Sequence, residues 1–142
     1  MLLADVNILV YAHKQQTLGH ERFKEWLEAL INGDEAYGIS DLVCSGFIRV
    51  VTHPHAFNPP STTVQALDFI ERVREGRACV HVSPGMRHWQ IFTGLCRAVG
   101  ARGNLVPDAY LAALAIESGS EWITTDGDFA RFPGLRWRRP FS

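Results

Sequence analysis

Leu2-Leu3-Ala4-Asp5-Val6-Asn7-Ile8-Leu9-Val10-Tyr11 is apolar at every position except Asp5 and Asn7. A continuous apolar run fits a strand covered on both faces, as strands in a parallel sheet are. The two polar residues then fall at the carboxyl end of that strand, where the chain turns into its first helix. A charge beside such a run is costly unless it is paired. Asp5 therefore needs a partner from elsewhere in the chain.

Helical periodicity follows. Phe23, Trp26, Leu27, Leu30 and Ile31 keep the i, i+3, i+4 rule, and Asn32-Gly33-Asp34 stops them. Tyr37 to Ser40 reads as a second short strand, and Ser40 can cap a helix from Asp41 to about Val51. His53 to Pro60 is a loop. Ser61 or Thr62 can cap the next helix, with Val64, Leu67, Ile70 and Val73 on its expected apolar face. Ala78 to Val82 is a third strand. Trp89, Phe92, Leu95, Cys96 and Val99 mark a helix that ends at Gly100. Asn104 opens an alanine-rich helix that carries Asp108, with Pro107 in its first turn, where a missing N–H does no harm. Trp122 to Thr124 is a short strand that delivers Asp126, and Leu135 to Arg138 a candidate edge strand. Strands alternate with helices throughout, so the expected class is α/β with a mostly parallel sheet.

The chain has 142 residues, 46% hydrophobic and 20% charged, with a net charge of -1. That length suits one domain over residues 1–142. The balance of charge excludes a generally cationic nucleic-acid binder, though not a basic patch beside an acidic cleft. Cys44, Cys79 and Cys96 are odd in number and form no C-x-x-C pair, so neither a disulfide framework nor a thiolate zinc site is expected. They read as buried small apolar residues in a reducing compartment. The first residues lack a basic segment, and no apolar run reaches the ~18 residues that a membrane span needs. The expected location is cytoplasmic, without membrane contact.

Ligands of open parallel sheets bind beyond the carboxyl ends of the strands. Asp5 and Asp126 each follow a strand, and Asp108 lies in the first turn of a helix that should start at the same crevice. Converging carboxylates raise each other's pKa and call for a cation. Mg²⁺ or Mn²⁺ suits oxygen ligands and retains waters, an arrangement fitted to hydrolysis of a phosphate ester. Taken singly, Asp108 also complements a helix dipole and Asp126 before Gly127 also reads as turn chemistry.

Four stretches, in order, resemble a known family. Leu2 to Ala12 is similar to the opening of a PIN domain. Ser40 to Pro54, with Gly46-Phe47-Ile48-Arg49-Val50-Val51-Thr52-His53-Pro54, is similar to the second helix of the VapC toxins in that superfamily. Asn104 to Ala115, with Pro107-Asp108-Ala109-Tyr110, resembles their third motif. Thr124-Thr125-Asp126-Gly127-Asp128-Phe129 resembles their closing T-x-D-x-D-F segment. The resemblance implies an α/β/α sandwich around a parallel sheet of four or five strands. It implies a Mg²⁺- or Mn²⁺-dependent endoribonuclease, the toxin of a type II toxin–antitoxin pair, blocked by a VapB-type antitoxin and usually homodimeric. The RNAs it implies are structured ones, tRNA or ribosomal RNA. Asp5, Asp108 and Asp126 match three of the family's four acids and are the expected metal ligands and catalytic residues.

One position departs. Many PIN domains carry a Glu in the second helix where this chain has Gly46. Asp41, five residues earlier, is about 140° away around the helix and roughly 7.5 Å along it. Asp128 is the better fourth acid, and reads equally as a solvated turn residue or helix cap. The departure keeps a second function open: a PIN-fold module that binds RNA or antitoxin with weakened catalysis.

Asn7 and Thr124 are candidate donors that orient the carboxylates or a water. Arg49 either contacts RNA phosphate, pairs with a site carboxylate, or is a plain surface arginine. Arg136, Arg138 and Arg139 around Trp137 fit an RNA-tracking strip less well than an edge strand with charged outer residues. His53-Pro54-His55 reads as a turn, and no four-ligand zinc set is visible. A phosphatase of the haloacid dehalogenase type needs Asp-x-Asp at the first strand end, where this chain has Asp5-Val6-Asn7. A receiver domain needs a late lysine, and the only lysines are Lys14 and Lys24.

Overall fold

The computed structural model describes residues 1–141. Five strands, β1 (Leu2–Ala4), β2 (Tyr37–Ile39), β3 (Cys79–His81), β4 (Glu121–Ile123) and β5 (Trp137–Arg138), form one sheet in the order β3-β2-β1-β4-β5. Every pairing is parallel, with Leu3 set opposite Gly38 on one side and Trp122 on the other. Six helices connect them: α1 (Val6–His13), α2 (His20–Asn32), α3 (Asp41–Val51), α4 (Thr63–Arg74), α5 (His88–Val99) and α6 (Leu105–Glu117). Helices α1 to α4 pack on one another as a group and α5 packs with α6, which gives the α/β/α sandwich expected from the sequence.

The apolar N-terminal run is split. Only residues 2 to 4 are strand, and the chain becomes helical at Val6. Asp5 accepts a hydrogen bond from Val6 N through its own side chain and so caps α1. The turn falls earlier than the hydrophobic pattern alone indicates, because α1 is itself buried at Ile8, Leu9, Val10 and Ala12. A helix covered by its neighbours reads like a buried strand.

Ser40 caps α3 through Val43 N, and Thr62 forms a reciprocal capping box with Gln65 at the start of α4. On α4 the expected face is only half right. Ala66, Ile70 and Val73 turn inward, while Val64 and Leu67 stay exposed. The covered stripe runs through 66, 70 and 73, at helical spacing, while 67 lies about 90° and 64 about 150° around the axis from its centre. Trp89 likewise sits on the solvent side of α5, 68% exposed. Of the three cysteines, all unpaired, Cys44 is buried and the other two are only half-buried. Gly100 ends α5 with φ +63°, a left-handed conformation open to glycine.

The core centres on β1 and β4. Leu3, Ile8, Leu9, Phe47, Trp122 and Ile123 are fully buried. Ala109, Ala112, Ala113 and Ala115 let α6 approach closely, since all four are completely enclosed. Strand β1 lies between β2 and β4, so the chain leaves it in one direction at first and returns on its other side later. That reversal opens a crevice beyond the carboxyl ends of β1 and β4.

Candidate functional site

Asp5 is placed by the first residue after β1 and by the first turn of α1. Its backbone N–H donates to Ile123 O at 2.9 Å, joining it to β4. One carboxylate oxygen, Oδ1, accepts from Val6 N at 2.7 Å, and the other, Oδ2, accepts from Thr124 Oγ1 at 2.6 Å. The residue is only 7% exposed. Burial pushes its pKa up and the nearby charge of Asp126 adds to that, while the bonds from Thr124 and Val6 act in the opposite direction.

Thr124 is the hub of this arrangement. It is completely buried, gives its hydroxyl proton to Asp5, and accepts from Asp126 N at 3.0 Å. The sequence expectation that Thr124 orients a carboxylate thus has a direct geometric counterpart. Asp126, half-buried, accepts from Asp128 N at 2.9 Å and caps the short 3-10 helix Gly127–Arg131. Its side chain therefore fixes a turn, and its charge is felt at both Asp5 and Asp108.

Asp108 lies in the first turn of α6, half-buried. Its pKa is pushed up to about 6, first by burial and then by the charges of Asp126, Asp5 and Asp128. Four carboxylates from three separated parts of the chain thus share one electrostatic neighbourhood. Asp128 is exposed and joins it from the outer side of the turn. Among the described residues no three His, Cys, Asp or Glu side chains stand close enough to enclose an ion by themselves.

The donor set nevertheless fits a hard divalent cation. All the groups are oxygens, and Mg²⁺ is commonly held by one or two carboxylates with waters completing its shell. The negative charges gathered around Asp108 are what a cation relieves. Asn7 adds a second observation: its Oδ1 is buried and has no hydrogen-bond partner among the described residues. Asn7 makes no hydrogen bond to either neighbouring carboxylate, so its expected role as their donor has no counterpart in the fold.

The remaining candidates lie elsewhere. An added Cβ at Gly46 would stand 3.1 Å from Val6 Cγ2, so any side chain there would crowd the residue that follows Asp5. Asp41 is drawn away: it pairs with Arg74 at 2.8 Å and His81 at 3.1 Å, which hold its pKa low. Arg49 is exposed and lines a groove between α3 and α4 with Ile48, Leu67 and Arg74; it forms no ion pair with a site carboxylate. His53 accepts from His55 N within a turn, as expected. A cavity of about 160 Å³, lined by Ala12, His13, Leu27, Phe69 and Arg72 among others, includes none of the four aspartates of the site. It borders the far end of α1 from Asp5.

Comparison with known proteins gives a consistent result. The PIN domain profile matches residues 2–135. The chain is 43% identical over 142 residues to ribonuclease VapC43 of Mycobacterium tuberculosis, covering 100% of this chain and 97% of that one. It is 36% identical over 140 residues to ribonuclease VapC25 of the same organism, covering 99% of both. Among solved structures, VapBC2 of Rickettsia felis, bound to a DNA fragment from its promoter, superposes with a TM-score of 0.70 at 18% identity, covering 97% of each chain.

Proposed function

Because the chain belongs to the PIN-domain family, we propose that it is a VapC-type endoribonuclease in which Asp5, Asp108 and Asp126 hold a divalent cation, Mg²⁺ or Mn²⁺. The observation that carries this is the gathering of Asp5, Asp108, Asp126 and Asp128 from three separated parts of the chain, with Thr124 tying Asp5 to the Asp126 turn, in a fold whose relatives are ribonucleases. Asp5 and Asp126 each cap a helix, but capping does not require that both stand in the electrostatic neighbourhood of Asp108. The biological role is the toxin of a type II toxin–antitoxin pair, with a VapB-type antitoxin as its inhibitor. The substrate is structured RNA, tRNA or ribosomal RNA, and the working unit is a homodimer of single domains spanning 1–142. No helix among the described residues is long and apolar enough to cross a membrane. We place the activity in the cytoplasm with its RNA.

A cation held by Asp5, Asp108 and Asp126 would supply charge neutralisation at the phosphodiester and would make water a better nucleophile by lowering its pKa. The chain supplies the rest. Thr124 fixes the orientation of Asp5, and through Asp126 N it sets the turn that carries Asp126. Each carboxylate oxygen of Asp5 retains a lone pair beyond the one bonded within the protein. Asp108, its pKa raised to about 6 by burial and by the neighbouring carboxylates, shares its carboxyl between neutral and charged forms near pH 6, and nearby positive charge would favour the charged form. Asp128, at the exposed rim, adds negative charge without being enclosed.

The test is cleavage of total RNA by the purified protein in Mg²⁺ or Mn²⁺, with EDTA as control. Asp108→Asn and Asp5→Ala should each reduce cleavage to background while circular dichroism shows a folded chain. Full activity in both variants rejects the assignment. RNA binding without metal-dependent cleavage by the unmodified protein instead selects the second reading, a binding module weakened at Gly46. The closeness of Val6 to that position favours keeping this reading in the test.

A further inference from the structure

Three arginines that look equivalent in sequence part company in the fold. Arg136 donates to Gly119 O at 2.8 Å, and Arg138 to Glu121 at 3.0 Å, so both secure β5 to its surroundings. Arg139 follows the carboxyl end of β5 and turns the other way. Its Nη1 donates to Thr125 O, and its Nη2 lies 3.8 Å from where a side chain on Gly127 would begin. It therefore borders Asp126 on both sides along the chain. Strands β1, β4 and β5 are neighbours and parallel. Asp5, Asp126 and Arg139 thus follow the same edge of three adjacent strands.

Arg139 is also held in place on either side. Arg138 is fixed by Glu121, Pro140 is buried, and Phe141 packs on Phe23 of α2 with ring centroids 4.8 Å apart. Arg139 is exposed, and its guanidinium carries five N–H donors, of which Nη1 bonds to Thr125 O among the described residues. A fixed cation with spare planar donors beside an acidic centre matches a phosphodiester that must approach that centre against like charge.

We propose that Arg139 contacts a backbone phosphate of the RNA next to the bond that is cut, and so brings a polyanion up to the carboxylates. This rests on the ribonuclease function proposed above. Arg136 and Arg138 have no such role.

The test is binding of a fluorescein-labelled single-stranded 12-nucleotide RNA in EDTA, where no turnover occurs, measured from low to high NaCl. Loss of one phosphate contact lowers the slope of log K against log salt by about 0.7. The expected result is that Arg139→Gln shows this loss and weaker binding, Arg139→Lys keeps the slope, and Arg136→Gln matches the unmodified protein. Weaker binding of Arg139→Gln with an unchanged slope makes Arg139 a prop for the Thr125 loop and overturns the contact. Unchanged affinity and slope overturn it too. If the unmodified protein does not bind this RNA at any salt concentration, the contact is overturned, while metal-dependent cleavage of total RNA decides the ribonuclease assignment separately. Binding by the unmodified protein with an unaltered Arg139→Gln rejects the contact alone.

Discussion

Thr124 shows how much a single hydroxyl can organise. It has no exposed surface, yet it serves the carboxylate of Asp5 and the backbone of Asp126 at once. Thr124→Val keeps the shape and removes both bonds. The buried Asp5 carboxylate then loses a charged hydrogen bond, and the expected cost is about 1.5–3 kcal/mol of stability. Metal affinity should fall about 10–100-fold, the range found when a partner that orients a ligand is lost. Chemical denaturation and Mn²⁺ titration read the two effects separately, and a variant as stable as the parent would refute the role. Asp5, Asp108 and Asp126 were legible in the sequence because each sits at a strand end or helix start, and topology sends such ends to one crevice. Asp5 was legible also because a charge beside an apolar run requires a partner. Arg139 was not legible apart from Arg136 and Arg138. What separates them is which carbonyl or carboxylate each finds across the fold, and neighbouring arginines in sequence do not encode that choice.

Helix boundaries were read best where a side chain closes the backbone. Ser40 was expected to start α3, and its hydroxyl does accept from Val43 N, at 3.2 Å. Ser40→Ala should cost about 1 kcal/mol, as the loss of a capping hydroxyl does elsewhere, and a shift in the denaturation midpoint at constant slope would register it. No measurable shift would show that the cap adds nothing to the packing of Val43 and Phe47. Boundaries were read worst where burial hides the period. The run after Asp5 carries no visible helical period, because α2 and α3 cover α1, so only Asp5 and Asn7 mark the turn into the helix, which starts at Val6 between them. Helix α4 erred in the opposite direction. Its apolar residues occupy more of the circumference than the fold covers, so Val64 and Leu67 read as core and are surface. Asn104 precedes α6 as expected but makes no side-chain cap, since its own backbone is already helical at φ -66° and ψ -15°. In each case the missing information is which neighbour comes to lie on which side, and that is decided by contacts between distant segments.

Folding brings the acids together at an electrostatic cost, and that cost should appear in the stability of the entire chain. Asp108 has its pKa moved from 3.8 to about 6 in the fold, and Asp5 is displaced in the same direction. Between those values the native protein binds more protons than the unfolded chain. The stabilising contribution of protonated Asp108 is therefore complete below about pH 4 and is lost as pH rises through 6. Asp41 acts with the opposite sign, since Arg74 and His81 hold its pKa low and its contribution fades in acid. A melting curve of the unmodified protein alone mixes the two. The difference between it and Asp108→Asn isolates the first, because asparagine carries no charge at any pH. In EDTA the variant should be the more stable of the two at pH 8, and the difference should close as pH falls toward 4. Adding Mg²⁺ at pH 8 should raise the melting temperature of the unmodified protein and move the variant little, as a cation stabilises only the state whose repulsion it relieves. Parallel melting profiles from pH 4 to 8, with or without Mg²⁺, would mean that Asp108 titrates as an ordinary surface carboxylate, and the charged crevice would have no energetic reality.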